Sequence, residues 1–286
     1  MERLLDTKVD AVSELGTSHD WDLRRVTLSD GRRVFVKEAR RRIDGLFAAE
    51  AAGLRWLLEG WRQVAGKDEP GPIPEVLAAD ETTLVLPWIE TGSPTPEVAE
   101  RFGRELAAVH GAGAESYGAP WDGFIAELPL DNADGSSWPE WYARRRVLPY
   151  LRMSVDRGAM SASDAVEVER AVGRIADVVG ADEPPARIHG DLWSGNVLWG
   201  DGRAWLIDPA AHGGHRETDL AMLALFGAPR LDRIIAAYDE TSPLADGWRP
   251  RVPLHQLHPL LVHAALFGAG YRGQALAAAR AVLRAG

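Results

Sequence analysis

The sequence has no cysteine. Disulfides, thiolate metal ligands, a cysteine nucleophile and thiol redox control are excluded by that alone. It also has no apolar run near the ~20 residues that a membrane-crossing helix needs. Its first residues, Met1-Glu2-Arg3-Leu4-Leu5-Asp6, show no apolar signal-peptide core. A cytoplasmic protein is expected. Positive charge is short, with 32 Lys and Arg against 42 Asp and Glu, a net −10. That argues against nucleic acid or an anionic membrane as the main partner. No Walker A sequence occurs, which removes the P-loop NTPases.

What is present is ordinary in bulk and unusual in detail. The 286 residues, 46% hydrophobic, suffice for one large domain or two small ones with a sizeable core. Eleven tryptophans stand out. They fit a core, or the wall of a sugar or nucleotide site.

Along the chain, Asp22 to Leu28 and Arg33 to Lys37 flank Ser29-Asp30-Gly31 and read as a hairpin. Ile43 to Leu58 reads as a helix with Leu46, Leu54 and Leu57 on one face. Gly60 to Pro74 reads as a break, and Thr83 to Leu86 as a buried strand ended by Pro87. Thr95-Pro96 is a helix start. The rest reads as helices over 138–152, 163–179, 219–225, 231–238, 255–267 and 274–283. One exception is a second hairpin, Val197 to Trp199 and Ala204 to Ile207 around Gly200-Asp201-Gly202-Arg203. The expected architecture is α+β and two-lobed: residues 1–90 a sheet lobe with one main helix, residues 91–286 largely helical. A cleft is expected at the join.

The chemistry concentrates in His189-Gly190-Asp191-Leu192-Trp193-Ser194-Gly195-Asn196, followed by Asp208. A carboxylate, a carboxamide five residues on and a second carboxylate twelve beyond that suit phosphoryl transfer. Asp191 would take the proton of an acceptor hydroxyl as general base. In the second hairpin position 199 faces 204, so 196 faces 207. Asn196 and Asp208 then meet at one end, as two oxygen ligands for Mg2+. Each alone would more often cap a turn or a helix. His189 is expected to brace the loop.

Glu50 falls on the apolar face of its helix, where a carboxylate needs a partner. Lys37 is the natural one, leaving its ammonium to touch nucleotide phosphates. A partly exposed Glu50 at the edge of that face is the alternative. A glycine-rich phosphate cover is poorly represented: Glu14-Leu15-Gly16-Thr17-Ser18-His19-Asp20-Trp21 holds one glycine. Thr17 and Ser18 could still reach phosphate. Leu86-Pro87-Trp88-Ile89 would be the hinge, with the Pro87 carbonyl and the Ile89 N–H available to adenine.

Together these residues resemble the fructosamine kinase (ketosamine-3-kinase) family. The resemblance rests on HGD-x-x-x-x-N with its Leu-Trp-Ser-Gly filling, on Asp208-Pro209-Ala210, and on Gly213-Gly214-His215-Arg216-Glu217-Thr218-Asp219-Leu220. Phe35-Val36-Lys37, Phe47 to Leu54, Glu105 to His110, Gly123-Phe124-Ile125 and Trp138 to Arg144 add to it, so that it spans roughly residues 10 to 283. It implies a protein-kinase-like fold shared with aminoglycoside and choline kinases. It implies ATP- and Mg2+-dependent phosphorylation of the 3-hydroxyl of a fructosamine, free or protein-linked, and so deglycation repair. By position Asp191 would be the base, Asn196 and Asp208 the metal ligands, and Lys37 with Glu50 the phosphate-positioning pair. Trp193 and His215 would belong to the substrate pocket, with packing of the catalytic loop the other role for Trp193. Asp219 reads as a cap or loop brace. Some relatives bridge subunits through a cysteine in the nucleotide loop, which this chain cannot do. An aminoglycoside- or choline-type phosphotransferase of the same fold and a non-catalytic nucleotide-binding module are the alternatives.

Overall fold

The structure, a computed structural model, describes residues 2–18 and 20–285. His19, within the phosphate-cover segment, lies outside them. A short helix α1 (Glu2–Leu5) precedes the antiparallel strands β1 (Val9–Ser18), β2 (Trp21–Leu28) and β3 (Arg33–Ala39). The predicted β2–β3 hairpin forms, with Gly31 at φ 86 in the turn and its N–H on the Leu28 carbonyl. β4 (Ala78–Ala79) and β5 (Thr83–Pro87) complete a sheet in the order β1-β2-β3-β5-β4.

Helix α2 (Leu46–Ala65) packs against this sheet. It runs seven residues past the predicted end at Leu58 (65 − 58), through Gly60. A Cβ at Gly60 would sit 2.7 Å from the Arg187 side chain, so close packing outweighs the weak helix propensity of glycine there. Helix α3 (Pro96–Gly111) starts as read, with the Thr95 hydroxyl accepting from the Val98 N–H and Pro96 at the first position.

The remaining chain is mostly helical. α4 (Trp138–Tyr142) continues through a π-helical turn, Ala143–Val147, into α5 (Leu148–Asp156). α6 (Ala162–Val172), capped by a Ser161–Asp164 box, and α7 (Ile175–Val178) follow. Then come α8 (Glu217–Leu225), α9 (Leu231–Thr241), α10 (Trp248–Phe267) and α11 (Arg272–Arg284). α10 begins seven residues before the predicted start (255 − 248). It holds Pro253 and Pro259 and is buried nearly all round, which erases the one-sided periodicity a sequence reading depends on.

Three small two-stranded antiparallel sheets sit among the helices in the described residues. β9 (Val197–Gly200) pairs with β10 (Arg203–Leu206) in the predicted register, Trp199 opposite Ala204. The pairs β6 (Gly123–Ile125) with β7 (Leu128–Leu130), and β8 (Ala186–Ile188) with β11 (His212–Gly214), are new. At three residues each they are too short to show alternation.

One hydrophobic core joins the two halves: Leu54 and Leu57 of α2 share it with Phe102 and Leu106 of α3 and with Ile234 and Tyr238 of α9. A second core, around Trp138, Tyr142, Leu257 and Leu261, belongs to the helical part alone.

Candidate active site

The loop between β8 and β9 is held from beneath by one buried carboxylate. Asp219 of α8 accepts from the N–H groups of His189 (2.7 Å) and Gly190 (2.9 Å), and from His110 Nε2 (3.1 Å), which in turn is bonded to the Tyr238 hydroxyl through Nδ1 (2.8 Å). Asp219 is thus a loop brace. Gly190 has φ 80, and a Cβ there would lie 2.3 Å from the Ala210 carbonyl. His189 donates from Nε2 to the Ile207 carbonyl (2.9 Å) and accepts the Asp191 N–H at Nδ1 (3.2 Å). Those bonds define the neutral tautomer, and burial lowers its pKa further. His189 therefore braces the loop, as expected.

Asp191 emerges from this support into the cleft. Asn196 Nδ2 donates to its carboxylate (3.0 Å) and its carbonyl (2.9 Å), and reaches the Asp208 carbonyl at 3.4 Å. The Ile207 N–H bonds to the Asn196 carbonyl at 3.1 Å, closing the end of the hairpin where the register argument placed it. Asp208 takes the left-handed conformation, φ 52, which carbonyl-bearing short side chains tolerate best. Lys37 Nζ lies 2.9 Å from Glu50 Oε2 and 3.1 Å from Asp208 Oδ1. Lys37 and Glu50 are both buried, so Glu50 is the paired carboxylate and not a partly exposed one.

The electrostatics are those of a site short of positive charge. Lys37 faces Glu50, Asp208 and, through them, Asp191. Burial alone would lower the Lys37 pKa, but the Asp208 and Glu50 carboxylates outweigh it and raise it. Glu50 is raised by burial, while Asp208, at the open edge, is lowered by Lys37 against burial. Burial pushes the Asp191 carboxyl up to about 7, and the Asp208 charge pushes the same way against the Asn196 hydrogen bond. Glu50 Oε1 is buried without a hydrogen-bond partner among the described residues. Two hard oxygen donors at one edge, Asn196 and Asp208, fit Mg2+.

These residues line one cleft together with Ser18, Trp21, Trp121, Phe124, Ala126 and Trp193. Trp193 is 40% exposed, lies edge-on to Phe226, and covers Gly195, where a Cβ would fall 2.2 Å from its ring. It therefore both packs the loop and walls the cleft. Ser18, at the end of β1, lines the cleft; Thr17 is exposed and does not.

Three expectations are placed elsewhere. Pro87 and Ile89 border a separate hollow with Trp88, Gly71 and Trp205. His215 is buried against Trp138 and His255, and faces a hollow lined by Glu183 and Tyr117, away from Asp191. Packing of the β11–α8 turn carries it there: the Glu217 N–H bonds to its Nδ1 at 3.3 Å. The residues that sequence reasoning missed are Trp121 and Ala126. Only the family-like Gly123-Phe124-Ile125 hinted at them.

The fructosamine kinase family model matches residues 8–285. The chain belongs to the fructosamine kinase family. A Thermus thermophilus protein named a probable ketoamine kinase is 36% identical over 89% of this chain and 88% of its own. The chloroplastic protein-ribulosamine 3-kinase of Arabidopsis thaliana is 30% identical over 87% of this chain and 75% of its own. A solved structure from Thermobifida fusca, named a putative fructosamine-3-kinase, is 56% identical, with a TM-score of 0.93 over 99% of this chain and 96% of its own. The fold extends further. An aminoglycoside phosphotransferase solved with AMP-PNP and hygromycin B reaches a TM-score of 0.61 at 16% identity, over 96% of this chain and 95% of its own. The fold is therefore that of the aminoglycoside phosphotransferases and their protein-kinase-like relatives, as the sequence implied.

Proposed function

We propose that this chain is an ATP- and Mg2+-dependent ketosamine kinase that phosphorylates the 3-hydroxyl of a sugar attached to an amine. The observation that carries this reading is geometric: Asp191, tied to Asn196 at 3.0 Å, opens on the same cleft as Asp208 and the Lys37–Glu50 pair. Burial raises the Asp191 carboxyl, which suits a base that takes a hydroxyl proton near neutral pH.

Asp191 would accept the hydroxyl proton and aim the oxygen at the γ-phosphorus. Lys37, held by Glu50, would contact α- and β-phosphate oxygens. Asn196 and Asp208 would hold Mg2+, which when bound neutralises the phosphate charge that develops during transfer. Ser18 at the end of β1 lines the cleft and would cover the phosphates. Trp193 would flank the sugar. The relatives named for ketoamine and ribulosamine substrates, and the nucleotide-bound phosphotransferase, support the substrate and cofactor. A cytoplasmic setting suits ATP, and no helix among the described residues is long and apolar enough to cross a membrane.

The test is ADP release from ATP with Mg2+ and a panel of ketosamines beside an aminoglycoside. Ketosamine-dependent release is expected. Turnover of the aminoglycoside with none of any ketosamine would overturn the assignment.

A further inference from the structure

Arg146 is buried inside the helical half, on the π-helical turn, and burial lowers its pKa to about 10. A buried guanidinium is costly unless its donors are used, and an apolar residue would pack a core better. The nearby carboxylate, Asp131, is engaged by Arg145. Two nitrogens of Arg146 turn instead to the segment that returns from β7, Nη1 to the Asp131 carbonyl (2.7 Å) and Nη2 to Asn132 Oδ1 (2.7 Å), with the guanidinium 4.2 Å from the Trp141 ring and Nε buried without a partner among the described residues.

Asn132 passes the constraint on. Its Nδ2 donates to the Trp121 carbonyl at 3.3 Å, across Gly123, where a Cβ would lie 2.6 Å from that nitrogen. Trp121 lines the cleft that contains Asp191 and Trp193. Its ring is fixed from the other side by Trp56 of α2, at 5.8 Å and 76°. Trp56 is covered in turn by the Arg187 guanidinium at 4.6 Å, which donates to the Trp56 carbonyl at 2.6 Å. A partly exposed tryptophan fixed in this way from its backbone and its ring is a preorganised surface. π-Helical turns recur where a fold places a functional group.

We propose that Trp121 is a second aromatic wall of the acceptor subsite, and that Asn132 and Arg146 are the positioning residues that set it. The inference rests on the reading of this cleft as a ketosamine-kinase site and names a part of it. An aromatic face suits the C–H face of a sugar ring and the protonated amine that a ketosamine carries beside it.

The discriminating variant is Asn132→Asp. The carboxylate keeps, and strengthens, the partner of Arg146, but it cannot donate to the Trp121 carbonyl. Its melting temperature is expected at or above that of the parent, while the KM for the ketosamine of lysine rises several-fold and the KM for ATP does not move. Trp121→Ala is expected to raise the ketosamine KM about tenfold, and Trp121→Phe to restore most of it. Calorimetric titration of the same ketosamine in the presence of AMP-PNP reads binding independently of turnover. Ketosamine affinity equal to the parent in both Asn132→Asp and Trp121→Ala would overturn the inference and leave the proposed reaction standing. A parent that used only a different hydroxyl acceptor would overturn the ketosamine reading instead, and the affinities would then be compared on that acceptor.

Discussion

At the scale of single residues, the proposed base is a group whose burial works against stability. The pKa of Asp191 rises from 3.8 to about 7 on folding. Between those values the native state holds a proton that the unfolded chain releases, so stability falls as pH rises through that window. The full effect is an upper bound on the order of 4 kcal/mol, at 1.36 kcal/mol per unit. Asp191→Asn removes the titration. The variant is expected to melt above the parent at pH 8, with the difference vanishing below about pH 4, and to lose 10²–10⁴-fold in kcat on the order expected for a general base. A thermal-melt series against pH, beside a phosphorylation assay, checks both signs. An Asp191→Asn protein that kept full turnover would remove Asp191 from the role of base.

At the scale of elements, backbone approach decides what propensity cannot. Gly103 lies in the middle of α3, where alanine ordinarily gains about 0.5–1 kcal/mol. Here a Cβ would fall 2.2 Å from the Ile234 carbonyl and 3.1 Å from Ala237 Cβ, both in α9. Overpacking of this kind costs about 1–3 kcal/mol, so Gly103→Ala is expected to lower the melting temperature, in the direction opposite to helix propensity. The turn into α8 shows the matching electrostatic case. Against burial, hydrogen bonds from His255 and Arg251 pull the Glu217 carboxyl down to about 2. Arg251 Nη2 and Nε reach its two oxygens at 2.5 and 3.0 Å. That contribution is fully present above about pH 4.5 and is lost as pH falls toward 2. Arg251→Met is expected to destabilise at neutral pH and to differ less from the parent in acid, as read by denaturant melts at the two pH values.

At the scale of the whole molecule, the sheet and the helices share a core, so a ligand that bridges the cleft stabilises both at once. ATP with Mg2+ is expected to raise the melting temperature, by about 2.7 kcal/mol of linkage at one hundred times Kd. Chelation by EDTA should remove most of the gain. Asp208→Asn, which weakens the assigned metal ligand, should show little difference between ATP with and without Mg2+. A Mg2+-dependent gain of parental size in that variant would reassign the metal. The change from strands to helices near Pro87 was legible in the sequence because turn signals and side-chain periodicity change character there. The shared core was not, because Leu54, Phe102 and Ile234 meet only after the chain has folded back on itself.

The sequence by itself determined which polar side chains meet at the loop between β8 and β9. Asp191, Asn196 and Asp208 lie within eighteen residues, and a hairpin of predictable register brings two of them together, so local rules sufficed. It also determined the Lys37–Glu50 pair, because a lone carboxylate on an apolar helix face must find a cation. Tertiary structure alone decided the rest. It carried His215 into a buried aromatic cluster, placed Pro87 and Ile89 on a different hollow, and brought Trp121 to the cleft through Asn132 and Arg146. Those outcomes depend on packing between segments far apart in the chain, and side-chain periodicity carries no record of such contacts.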